Sequence, residues 1–205
     1  MSARAFAADA LQPDAFAFTP ENERRMRAII ADYPPGRQHS AVVPLLDLAQ
    51  RQHGGWLPKT AIRAVARLLE MPEIRAFEVA TFYTMFNLAP VGRHLVQLCR
   101  TTPCWLRGSD EVEAACLDHL GVALGETTAD GAFTVVEVEC LGACVNAPVA
   151  QVNDDFYEDL DGPAMVRLLD ALKAGREVSP GSQDARRQFS APVTGPTTLV
   201  PEDAE

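Results

Sequence analysis

"HLVQLCRTTPC", residues 94–104, and "FTVVEVECLGAC", residues 133–144, carry four of the chain's five cysteines. Each stretch runs as a short β-rich segment into one cysteine, then turns at Pro or Gly towards a second. The first pair, Cys99 and Cys104, is spaced C-x4-C, the second, Cys140 and Cys144, is spaced C-x3-C, and 35 residues separate the pairs. Between them, "SDEVEAACLDHLG" (109–121) predicts a helix stopped by Gly121 and capped by Ser109 or Asp110. With Asp110 as cap, Glu113 completes a capping box. A strand, a crossover helix and a second strand make a unit whose strands run parallel. Parallel strands end on one edge of their sheet. The reading therefore places Cys99 and Cys140 at strand ends on that edge, with Cys104 and Cys144 in the loops that follow. Four thiols converge from two loops.

Outward from this unit, "PVAQV" and "FYEDL" flank the turn "NDD" and predict a hairpin. Pro163 opens a last helix with Met165, Leu168, Leu169 and Leu172 as its stripe, closed by Gly175. The result is a thioredoxin-like α/β layout over residues 91–178 with a four-stranded mixed sheet. Upstream, four helical signals follow one another. Thr19-Pro20-Glu21 offers an N-cap, a proline at the first helical position and an early acid. Ser40 offers a cap for a second helix, and Pro58 and Pro72 open a third and a fourth. The fourth is predicted to run through "EIRAFEVATFYTMF". Short links make residues 19–90 a helical bundle. The fold class is thus α+β, a helical bundle followed by a thioredoxin-like domain. Residues 1–18 are expected as a flexible arm. Residues 179–205, rich in Ser, Pro, Gly and Thr, are expected as an extended tail. In that tail Phe189, Val193, Leu199 and Val200 would serve as apolar anchors on a neighbouring protein.

Composition narrows the function. The 205 residues carry a formal charge of −10, which argues against nucleic acid as a partner, because phosphate binding needs a basic face. No apolar run is long enough to span a membrane. The opening "MSARAFAADALQPD" makes a poor signal peptide, being broken by Asp9 and Asp14. These features predict a cytoplasmic protein. An odd number of cysteines outside a small secreted scaffold argues against a disulfide framework.

Four converging thiolates have three readings: a [2Fe-2S] cluster, a structural zinc or dithiol redox chemistry. Zinc sites built from four cysteines commonly use C-x2-C, and thiol–disulfide exchange uses C-x-x-C; neither spacing occurs here. The spacing leans towards the cluster without excluding zinc. The remaining chemistry-bearing residues read more plainly. Cys116, with Val112 and Leu120 one turn away on either side, is expected as a small buried residue. His39, His53, His94 and His119 are expected as surface or capping histidines, and no two are placed to replace cysteines as ligands. Phe82, Tyr83 and Phe86 are expected in the core. Asp154, Asp155, Glu158 and Asp159 are expected as solvated hairpin surface. The chain has no G-x-G-x-x-G after a strand and no phosphate-binding P-loop.

The cysteine spacing, with "YPPGRQHSAVVPLLDLAQRQHGGWLP", "EVATFYTMFNLAPVGRHLVQLCRTTPCWLRGSDEV" and "CLGACVNAPVAQVND", resembles the family of the 24-kDa [2Fe-2S] subunit of respiratory NADH:quinone oxidoreductase (complex I), the thioredoxin-like ferredoxins. That group includes equivalent diaphorase subunits of NAD-linked hydrogenases and formate dehydrogenases. The likeness runs from about residue 20 to 180. It implies that Cys99, Cys104, Cys140 and Cys144 ligate one [2Fe-2S] cluster. It implies FMN and NADH on a partner flavoprotein, other peripheral-arm subunits as neighbours, and a place peripheral to the inner side of the energy-conserving membrane without insertion into it. Glu137 and Glu139, ahead of Cys140, would favour a low potential, in line with the roughly −400 mV of plant-type centres.

Overall fold

Thr19 caps the first helix as its sequence suggests. Its Oγ1 accepts the Asn22 N–H at 3.3 Å, and Pro20 occupies the first turn. The computed structural model describes residues 5–184 and Ser190. Its backbone divides between Val91 and Gly92 into two compact units.

The first unit holds α1 (Pro20–Ala31), α2 (Val42–Gln52), α3 (Lys59–Leu68) and α4 (Glu73–Phe82). Their apolar stripes bury Leu45, Leu46, Ile62, Val65, Ala76 and Ala80 completely. Gln50 braces this core. Its Nε2 donates to Met85 O at 3.0 Å, and its Oε1 accepts the Asn87 N–H at 2.7 Å. Three sequence expectations change here. Ser40 does not cap α2. It lies in a 3-10 turn, Gln38–Ala41, that leads into the helix. The fourth helix stops at Phe82, with Tyr83 extended, so the aromatic run splits: Phe86 is buried, whereas Phe82 is 78% and Tyr83 44% exposed. Finally, residues 5–18 do not stand clear of the bundle. Phe6, Phe16 and Phe18 pack on its core, and Ala7 N–H donates to Leu88 O at 2.9 Å. Apolar side chains spaced along an Ala-rich arm are enough to dock it.

The second unit is one mixed sheet with helices. Its strands are β1 (His94–Cys99), β2 (Phe133–Val138), β3 (Ala150–Val152), β4 (Asp155–Glu158) and β5 (Gly181–Ser182), in the order β2-β1-β3-β4-β5. The crossover makes β1 and β2 parallel, in register from His94↔Phe133 to Cys99↔Val138. β3 lies antiparallel to β1 and to β4. The sheet has five strands, not four, because residues past the last helix return as β5, parallel to β4. The tail expected from residue 179 is therefore structured at its start, and the remainder of that expectation, residues 185–189 and 191–205, lies outside the described residues.

Between β1 and β2 come α5 (Thr102–Leu106) and α6 (Ser109–Leu120). Gly108, at φ 97°, is the residue before α6, and no side chain caps it. Neither expected cap forms, and Glu113 turns instead to Arg100. The last helix, α7 (Gly162–Lys173), is capped by Asp161, whose Oδ1 accepts the Ala164 N–H at 2.7 Å. Helices α6 and α7 pack against each other, and the core between helices and sheet buries Val96, Cys116, Phe133, Val135, Met165 and Leu169. The first half of the outer edge of β2 is covered by its own preceding loop. Gly125 and Thr128 donate to Val135 O (2.7 Å) and Phe133 O (2.8 Å), and Val135 N–H donates back to Glu126 O. Among the described residues no helix is long and apolar enough to cross a membrane.

Candidate metal centre

The parallel register brings both cysteine pairs to one end of the sheet. Cys99 is the last residue of β1. Cys104 follows on α5, so it sits on a one-turn helix where the sequence suggested a loop. β2 ends at Val138, two residues short of Cys140. Cys144 opens a 3-10 turn, Cys144–Asn146. None of the five cysteines forms a disulfide.

The two pairs differ in surroundings. Cys99 and Cys104 are 2% and 1% exposed, in a small apolar cluster with Ala143, Ala147 and Val149, flanked by Leu141 and Phe156. Cys140 and Cys144 are exposed, with their Sγ atoms 3.4 Å apart. That separation is near the edge of a metal–thiolate tetrahedron, about 3.8 Å for 2.3 Å bonds.

Within each pair one thiol is favoured as the thiolate and the other as the donor. Burial pushes Cys99 up, but hydrogen bonds from the Thr101 hydroxyl, the Thr101 and Leu141 N–H groups and Cys104 outweigh it, and its pKa falls below the usual thiol value. Thr101 Oγ1 lies 3.4 Å from Cys99 Sγ. Burial and the bond to Cys99 push Cys104 up to about 12. In the exposed pair, the Gly142 N–H, at 3.4 Å, is the main cause that lowers Cys140, followed by bonds from Cys144 and Thr101. Its hydrogen bond to Cys140 is what chiefly raises Cys144. The pairs also feel each other: Cys104 responds to the charge of Cys144, and Cys140 and Cys144 to that of Cys99. The four thiols therefore form one electrostatic group drawn from two chain segments. Among the described residues no three His, Cys, Asp or Glu side chains gather tightly enough for a single ion; the thiols are arranged two by two.

The other candidates fall elsewhere. Cys116 is fully buried in α6, its thiol pushed up to about 12 by burial and then by Glu113. His94 lies against Phe133 in a tilted pair, His53 meets Trp56 edge-on, and His119 Nε2 meets Asp170 at 2.8 Å. Glu158, expected on solvated hairpin surface, has no exposed surface at all. Sequence reasoning also passed over Thr101, whose signal was a hydroxyl two residues past a cysteine, and the exposed rim of Trp105, Leu106 and Val145, each close in sequence to a cysteine of the site.

A thioredoxin-like sheet that gathers four thiols at one edge, without the C-x-x-C of thiol–disulfide exchangers, is a four-thiolate site of the kind that holds an iron–sulfur cluster or a zinc ion. The family description thioredoxin-like [2Fe-2S] ferredoxin matches residues 26–173. The chain belongs to that family, and its cofactor is one [2Fe-2S] cluster. It is 57% identical over 158 residues to a NADH-quinone oxidoreductase subunit of Rickettsia bellii, covering 77% of this chain and 95% of that protein. It is 50% identical over 185 residues to the mitochondrial NADH dehydrogenase (ubiquinone) flavoprotein 2 of Dictyostelium discoideum, covering 90% of this chain and 74% of that one. A crystal structure of an NAD+-reducing [NiFe]-hydrogenase in the H2-reduced state matches with a TM-score of 0.57 at 22% identity, covering 65% of this chain and 23% of the other. At that identity the likeness is one of fold.

Proposed function

We propose that the chain is the electron-transfer subunit of an NADH:quinone oxidoreductase (complex I), a peripheral member of a multi-subunit complex, and that Cys99, Cys104, Cys140 and Cys144 hold its cluster. The observation that carries this reading is the delivery of two thiol pairs to one sheet edge by parallel strands. The subunit names of relatives at 57% and 50% identity support the choice of complex.

When bound, the cluster supplies one-electron transfer. The chain's residues hold it and set its surroundings. All four ligands must be thiolates, so loading releases protons. The Thr101 hydroxyl and the Gly142 N–H donate to Cys99 and Cys140 and stabilise negative charge there. Leu141, Ala143, Val149 and Phe156 keep water from the buried pair. The exposed pair, with Val145 72% exposed beside it, gives the site an open side on which a redox partner can approach. That partner is a flavoprotein carrying FMN and the NADH site, since this chain has no dinucleotide fingerprint.

The test is chemical analysis with substitution. The purified chain should contain two irons and two sulfides, appear red-brown and give an EPR signal on reduction. Serine at position 99, 104, 140 or 144 should abolish or alter that signal, while Cys116→Ser should keep it. Stoichiometric zinc without iron, or loss of the signal in Cys116→Ser alone, would sink the assignment. The chain alone should not oxidise NADH. Adding the flavoprotein should restore NADH-driven reduction.

A further inference from the structure

Among the described residues of the second unit, one charged side chain is completely enclosed. Glu158, the last residue of β4, is 0% exposed. A buried carboxylate is tolerated only where donors satisfy it. Among the described residues three donors reach this one. Asn146 Nδ2–H donates to Oε2 at 2.7 Å, the Ser190 N–H donates to the same oxygen at 3.0 Å, and the Ser190 hydroxyl donates to Oε1. Asn146, itself 5% exposed, is the last residue of the turn that begins with Cys144. Backbone bonds reinforce the attachment: Asp159 N–H donates to Asn146 O at 2.7 Å, and Leu160 N–H to Pro148 O at 3.1 Å.

The outer side of that turn faces solvent. Cys144 is exposed and Val145 is 72% exposed. Beneath it lies the Glu158 carboxylate, joined to the turn through Asn146. The remaining two donors to the same carboxylate come from Ser190, 32 residues further along the chain.

We propose that Glu158 is a positioning residue for the cluster: its carboxylate, bonded to Asn146 on one side and Ser190 on the other, holds the Cys144 turn in ligating geometry and ties it to Ser190. The inference rests on the ligand set proposed above. Partners that orient metal ligands commonly change metal retention by about 10- to 100-fold when removed.

The experiment uses the full chain with its cluster in place. Iron release to bathophenanthroline and the EPR spectrum of the reduced cluster are recorded for each variant, with far-UV circular dichroism of the same samples. Glu158→Gln and Asn146→Ala should release iron about tenfold faster and shift the EPR line positions. Ser190→Ala, which removes one hydroxyl and keeps the backbone bond, should fold normally and still release iron measurably faster than the parent. The exchanged pair, Asn146→Asp with Glu158→Gln, swaps donor and acceptor and should move both readouts back towards the parent. Parent-like release and EPR in Glu158→Gln and Ser190→Ala would overturn the proposal, as would an exchanged pair no better than its single variants. Cys144→Ser separates the two levels. If it leaves the spectrum unchanged, the ligand set itself fails; if it alters the spectrum while the Glu158 and Ser190 variants match the parent, only the positioning role fails.

Discussion

His94 opens β1 with its ring against that of Phe133, the centroids 5.1 Å apart. Burial first, and then the charge of Arg93, hold its pKa below the ordinary value near 6.5. The folded chain therefore binds fewer protons than the unfolded one in the window between the lowered pKa and about 6.5. Stability should be greatest above that window, fall as the pH drops through it, and level off below the folded pKa. Urea unfolding of the parent and of His94→Gln at several pH values between about 5 and 8 checks this: the substituted chain should show a flatter dependence. Among single residues, legibility in the sequence followed spacing. The cysteine pairs stood out because two close intervals repeat on strand ends. Glu158 did not, because an acid in "NDDFYEDL" reads as hairpin surface, and only the fold brings Asn146 and Ser190 over it. Thr101 was hidden in the same way, since a hydroxyl near a thiol acquires meaning only once the two are seen 3.4 Å apart.

At the scale of elements, the long helices, the crossover and the hairpin were readable from periodicity and from Pro and Gly punctuation. The pieces that were not readable are short. Helix α5 has 5 residues and β5 has 2, below any window in which a period can be recognised. The early stop of α4 at Phe82 has no Gly or Pro to announce it. The junction ahead of β1 shows how tightly the crossover is built. A β-carbon placed on Gly92 would lie 2.7–2.9 Å from the backbone of Phe133, while the Gly92 N–H donates to Thr134 Oγ1 at 2.6 Å. The neighbour is main chain in a paired strand and cannot rotate away. Gly92→Ala should therefore destabilise the chain by about 1–3 kcal/mol, the usual range for overpacking, read as a lower midpoint in urea. An unchanged midpoint would mean that β1 and β2 can part at this end without penalty.

For the whole molecule, each unit has its own core: one around Leu45, Ile62 and Phe86, the other around Val96, Phe133 and Met165. All four cysteines of the proposed site lie in the second. A fragment of residues 92–205 should consequently take up the cluster unaided and match the full chain in visible absorbance and reduced EPR spectrum; a colourless, iron-free fragment would show that the first unit is required. One property of the sheet bears on life before assembly. A bare strand edge is a template on which another copy can stack, and natural sheets guard against it. Here the loop from Gly125 to Thr128 already occupies the outward hydrogen-bonding groups of Phe133 and Val135, in the first half of β2. Newly made copies therefore have only a short bare stretch on that side along which to zip together.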